Sequence, residues 1–146
     1  QEGKRTRAQV LRDMVEIRLA VDHAGPQIEA ILKANGVVLS HADWGKVFPI
    51  WLIACADDIV IGCCQVLISK PVGYLEFLHT HPEAPFKLRA IALRKLGIQG
   101  EATLRMAGCN YLGATVKTQN KQFRKVLEKR GFVKVSEVNV MVKRLV

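Results

Sequence analysis

The chain has 146 residues, 49% of them apolar and 24% charged. That suffices for one globular core and excludes a disordered, collagen-like or coiled-coil chain. Lysine and arginine number 22 against 13 acidic residues, a net charge of +9, which suits an anionic partner such as nucleic acid, an acidic protein or a phosphorylated cofactor. The basic residues cluster at Lys4–Arg12, Lys87–Lys95 and Lys117–Arg130, without a stacking series of aromatic residues among them, which argues against single-strand binding. No apolar run approaches the ~20 residues needed to span a bilayer. The opening Gln1 to Arg5 has no apolar signal core, so a cytoplasmic protein without membrane contact is expected.

Residues 1–13 are polar and basic and are set aside as an N-terminal extension, either a flexible or appended arm or a first short helix. Residues 14–146 are expected to form a single domain. Val15 to Ala20 alternates apolar and polar residues, the period of a strand. Asp22 is placed to cap a helix carrying Ile28, Ile31 and Leu32, which Gly36 ends. Ser40 to Phe48 reads as a second short helix or a tight loop, with Trp44, Val47 and Phe48 apolar.

Three strands follow: Trp51–Ala56, Ile59–Ser69 and Tyr74–His81, separated by the turn Asp57-Asp58 and the breaker Lys70-Pro71. Connections this short predict an antiparallel meander. Pro82 and Pro85 stop the sheet, and a helix is predicted from Phe86 to Ala107. Gly97 and Gly100 interrupt it, so it either bends there or is closely approached by a neighbour. Tyr111–Val116 reads as a strand, Asn120–Arg130 as a helix ended by Gly131, and Phe132–Val135 and Val140–Val146 as two closing strands.

The four cysteines, Cys55, Cys63, Cys64 and Cys109, form no C-x-x-C pair. They read as reduced core thiols, and no metal site is expected. Cys63 and Cys64 would face opposite sides of a strand.

The fold class implied is α/β (α+β): a mixed, mostly antiparallel sheet flanked by helices, in the order β-α-α-β-β-β-α-β-α-β-β. From Val15 to Val146 this order resembles the GNAT N-acetyltransferase superfamily. Asn120 to Phe132 is similar to that family's Asn-x-x-Ala-x-x-x-Tyr-x-Lys-x-Gly-Phe segment, and His81-Pro82-Glu83 to its Val-x-Pro-Glu stretch. The resemblance implies acetyl-CoA as co-substrate, with its pyrophosphate held by backbone N–H groups at a helix start.

Here that loop reads Pro85, Phe86, Lys87, Leu88, Arg89, Ala90. Pro85 stands in place of Gln or Arg, and Leu88 replaces the first glycine, where a side chain would crowd a phosphate. Lys87 and Arg89 are candidate side-chain ligands instead. The family's usual tyrosine acid aligns with Leu127, which cannot donate a proton.

The resemblance also implies that the backbone from Leu78 to Thr80 pairs with pantetheine, that Asn120 lies near the thiol end, and that Trp44 lies near the acceptor. Glu76 and His79 are the candidate general bases. The expected activity is transfer of an acetyl group to a small-molecule or protein amine by direct attack, in a monomer or homodimer. The alternative is an inactive GNAT-like module that binds an acidic partner or nucleic acid.

Overall fold

A computed structural model describes residues 3–37, 50–137, Met141 and Lys143. The chain divides into two compact units, residues 1–114 and 115–146.

The first unit opens with α1 (Arg7–Met14). Thr6 and Gln9 form a reciprocal capping box at its start. At its end, Lys95 Nζ donates to the carbonyls of Arg12 (2.5 Å) and Val15 (2.7 Å). Then come β1 (Val15–Leu19), a short 3-10 turn (Asp22–Ala24), α2 (Gly25–Ala34), β2 (Ile50–Ala56), β3 (Ile59–Ser69), β4 (Val72–Thr80), α3 (Phe86–Met106) and β5 (Tyr111–Gly113).

The sheet order is β1-β2-β3-β4-β5. β1 to β4 pair antiparallel, as the short turns from β2 to β3 and from β3 to β4 require of those strands, and β5 pairs parallel to β4. Asp57 and Asp58 both take left-handed φ values, 50° and 64°, as a two-residue hairpin turn demands. The expected N-cap position, Asp22, is not where α2 begins. The 3-10 turn intervenes, Ala24 becomes the N-cap without a side-chain hydrogen bond, and Pro26 supplies the preset first-turn φ.

The core lies on both faces of the sheet. On one face, α3 covers Leu52, Ala54, Cys64 and Val66. On the other, Ile28, Ile31 and Leu32 of α2 cover Trp51, Ile53, Cys55 and Cys63. Adjacent Cys63 and Cys64 thus belong to opposite faces, and all four cysteines are free and buried.

The buried residues of α3 are Leu88, Ala92, Leu96, Gly100 and Leu104, each four after the last. The helix continues through both interior glycines. At Gly100 the reason is contact: an added Cβ would lie 2.6 Å from Leu75 Cδ2. Gly97 has no neighbour within reach. The helices α2 and α3 close alike. Gly36 (φ 78°) and Gly108 (φ 90°) turn the chain, and Val37 and Cys109 donate back to Leu32 and Leu104, the Schellman arrangement.

The second unit contains α4 (Lys121–Lys129). Asn120 caps it by accepting from the Phe123 amide at 3.1 Å. Gly131 at φ 89° ends it, with Phe132 donating to Leu127. Two strand expectations need correction. β5 stops at Gly113 instead of Val116, and Phe132–Val135 is not a strand. The Ser40–Phe48 segment, with Trp44, lies outside the described residues, as does most of Val140–Val146.

The two kinds of glycine contact separate by mutation. Gly97→Ala should stabilise the protein by about 0.5–1 kcal/mol, since nothing opposes the gain in helix propensity. Gly73→Ala should destabilise it by about 1–3 kcal/mol, because its Cβ would lie 2.3 Å from Leu104 Cδ2 in the core. Urea unfolding of each variant checks both signs.

Candidate functional site

β4 is paired unequally on its two sides. On one side it runs along β3 from Val72 to Thr80. On the other, β5 covers only Val72, Gly73 and Tyr74. From Leu75 to Thr80, no strand among the described residues lies on that second side, which leaves backbone donors and acceptors open to an extended, amide-bearing ligand.

The free stretch contains a bulge. Glu76 pairs with Gln65 and His79 with Cys63, so Phe77 and Leu78 together face Cys64. Residues three apart on a regular strand face opposite sides. The extra residue cancels that alternation and puts Glu76 and His79 on one side, the α2 side, with Cys63. Phe77 sits at φ 51°, a conformation that is costly for a bulky residue. Its ring stacks on Trp51 with centroids 6.0 Å apart and planes 23° apart. Glu76 is half-buried, and that burial pushes its carboxyl above the ordinary range.

Beyond Thr80 the chain makes a tight turn. His81 N–H donates to Ile61 O at 2.8 Å and Ala84 N–H to His81 O at 3.0 Å. His81 Nδ1 accepts from the Glu83 amide at 3.1 Å. Helix α3 then starts at Phe86 behind Pro85, with no capping side chain and no acid in its first turn. The first amides of such a helix lack intrahelical partners, and the helix dipole adds positive potential.

Lys87 is exposed there. The Leu88 side chain does not crowd this end: it is 9% exposed and belongs to the core under α3. Ala90 lies further along the helix and is exposed. Arg89 is half-buried; its Nε donates to Thr80 Oγ1 at 3.1 Å and its Nη1 to Pro82 O at 3.5 Å.

Leu78 packs against the α3-side core. Thr80 is 4% exposed, and its carbonyl accepts from Asn35 Nδ2 at 3.0 Å. Asn35 is the residue that sequence reasoning missed. Beside Gly36, at the end of a helix, it reads only as a cap, and nothing local signals its reach to β4.

Glu76, Leu78, His79, Thr80, Lys87, Leu88, Arg89 and Ala90 all lie on β4 and the first turns of α3. Asn120 belongs to the second unit, where it caps α4. A depression of about 370 Å³ between Met14, the β2–β3 hairpin and Pro85 adjoins the start of α3 but includes neither Glu76 nor His79. No group of three metal-ligating side chains occurs among the described residues, and no described helix is long and apolar enough to cross a membrane.

Neither a family model nor a curated protein matches the sequence. Solved structures do. The aminoglycoside N-acetyltransferase AAC(6')-Iy in complex with CoA is similar with a TM-score of 0.70 at 21% identity, covering 89% of this chain and 100% of that one. The chain has the GNAT fold. An acetyltransferase of Trypanosoma brucei is similar with a TM-score of 0.64 at 16% identity, covering 89% and 99% of the two chains. A transcriptional regulator of Bacillus halodurans C-125 has a TM-score of 0.68 at 16% identity, over 88% and 99%.

Cys63 and Cys64 lie beside this site in the ladder, yet neither is available as a nucleophile. Both are fully buried, and burial pushes each thiol up to about 12. Native protein at pH 8 should therefore leave both unmodified by iodoacetamide while the denatured chain is alkylated at all four cysteines, as peptide mass mapping would read.

Proposed function

We propose that this chain is an acyl-CoA-dependent N-acyltransferase that moves an acetyl group from acetyl-CoA to an amine by direct attack. The observation that carries the reading is the continuity of the free edge of β4 with the uncapped start of α3. An extended arm bearing amides and ending in phosphates has the chemistry to match both: its amides pair with the strand edge, and its phosphates meet helix amides, Lys87 and Arg89. The departures at Pro85 and Leu88 do not oppose this, because Leu88 turns into the core. The similar CoA-bound acetyltransferase supports the choice of CoA as the phosphate-bearing arm.

The amine must lose a proton as it attacks the thioester carbonyl. A C–N bond forms, the carbonyl electrons move onto oxygen, and their return expels the CoA thiolate as the C–S bond breaks. Glu76 takes the amine's proton, directly or through a water, and its burial raises its basicity. His79, on the same side of β4, is the second candidate base. The bulge at Phe77 and Leu78 places a backbone amide outside the regular ladder, a donor suited to the developing oxyanion. With Leu127 in place of a tyrosine, the thiolate is protonated from solvent.

The aminoglycoside acetyltransferases among the similar structures support a small amine as acceptor. Trp44 and Asn120 remain the acceptor and thiol-end contacts implied by the family resemblance.

A second reading draws on the net charge of +9: a non-catalytic module for an acidic partner or nucleic acid. Calorimetric titration with acetyl-CoA separates the two. Micromolar binding, abolished by Lys87→Glu with Arg89→Glu, is the expected result. No binding at millimolar acetyl-CoA, with salt-sensitive binding to nucleic acid, would favour the module.

The base is tested by pH. Glu76 accepts a proton only when ionised, so kcat/KM should rise with pH through its raised pKa and fall away below it. Glu76→Gln should lower kcat/KM about 10²- to 10⁴-fold and flatten that limb. Full activity in the variant would remove Glu76 as base.

A further inference from the structure

Thr80 occupies an unusual junction. It ends β4, it is buried, and it is bonded to Arg89 of α3 and to Asn35 just past α2. His81 N–H is spent on β3. By the alternation of an antiparallel ladder, the backbone groups of Thr80 therefore point to the free side of β4. Its carbonyl there already accepts from Asn35, the residue that caps the end of α2. One of the two lone pairs of that carbonyl is therefore engaged from the α2 side before any ligand pairs with this edge.

The Thr80 hydroxyl has a different partner. Oγ1 accepts from Arg89 Nε at 3.1 Å, while Pro82 O accepts from Arg89 Nη1 at 3.5 Å. A guanidinium carries five N–H donors in a rigid fork. These two bonds use two of them and fix the fork's plane against the turn that leads into α3.

We propose that Thr80 is a positioning residue for phosphate recognition. Its hydroxyl holds the Arg89 guanidinium in register with the first turn of α3, so that the unused N–H groups meet a phosphate of the acyl donor. Asn35, by fixing the Thr80 backbone from the other side, sets where that hydroxyl lies. The proposal rests on the acyl-CoA reading above and names the contact that orients its side-chain phosphate ligand.

The test is a double-mutant cycle on acetyl-CoA affinity, measured by calorimetry, with Thr80→Val, Thr80→Ser, Arg89→Gln and Thr80→Val in the Arg89→Gln background. Thr80→Val keeps the shape and removes the hydroxyl. It should weaken acetyl-CoA binding roughly tenfold, the scale of a hydrogen bond to a charged group. Thr80→Ser should restore the affinity. In the Arg89→Gln background, Thr80→Val should cost nothing more, because its effect passes through Arg89.

A merely structural Thr80 would lower the melting temperature of the ligand-free protein without this coupling in affinity. Unchanged affinity in Thr80→Val, or losses that add across the two sites, would overturn the proposal while leaving the acyl-CoA reading standing. Failure of the wild-type protein to bind acetyl-CoA would overturn both.

Discussion

Helix α3 lies close on β3 and β4 because glycines give way to leucines at three points. Gly62 faces Leu96, Gly73 faces Leu104, and Gly100 of the helix itself faces Leu75. At Gly73 and Gly100 a Cβ would come within 2.6 Å of a leucine side chain or closer, so the approach depends on the missing side chain. The helix residues involved share one ridge with Leu88 and Ala92, rising in steps of four. Such a ridge drifts slowly around a helix, which lets it follow strands that are themselves twisted. Everything at the candidate site hangs on this contact. It sets the start of α3 beside the end of β4, five residues of turn away.

The strand carries the second constraint. A regular β4 would put Glu76 and His79 on opposite faces, one toward the α3 core and one toward α2. The bulge brings both to the α2 side, at the cost of a phenylalanine in the left-handed region. Such strain is of order 1–3 kcal/mol and persists only where the surroundings over-determine it. Here the Phe77 ring is held against Trp51 within a buried cluster. Packing on the α2 face therefore sustains the backbone irregularity that groups the two candidate bases.

Much of the first unit was legible in the residues. The Asp-Asp turn, the alternation in β1 and the helix-closing Gly36 are local signals with local mechanisms, as is Gly131 in the second unit, and each appears where its chemistry places it. What was not legible was non-local. Nothing in Glu76 to His79 announces a bulge, because an inserted residue is defined only against its partner strand. Leu88 reads as an intruder in a phosphate loop until the phase of α3 is known, and that phase is set by leucines and a glycine up to four turns away. Asn35 is likewise silent, since its partner lies 45 residues on. The misplaced cap at Asp22 has a simpler cause: a 3-10 turn consumed the segment before α2 began.

The charge at the start of α3 follows from the same arrangement. A cation near a helix N-terminus works against the dipole by about 0.3–1 kcal/mol, and this end carries Lys87 and Arg89 with no acid and no cap. The starts of α1 and α4 also carry a cation, Arg7 and Lys121, and no acid in the first turn, but each has a side-chain cap. Thr6 and Asn120 cap α1 and α4, and Lys95 sits on the free carbonyls that end α1. The bonds from Arg89 to Thr80 and Pro82 orient its charge but do not neutralise it, since both acceptors are uncharged. An anion bound here would relieve that repulsion and stabilise this corner by an amount that grows with its concentration over its Kd. A phosphate-bearing donor would therefore do more than occupy the corner. It would complete the electrostatics that β4, the 81–85 turn and α3 leave unbalanced.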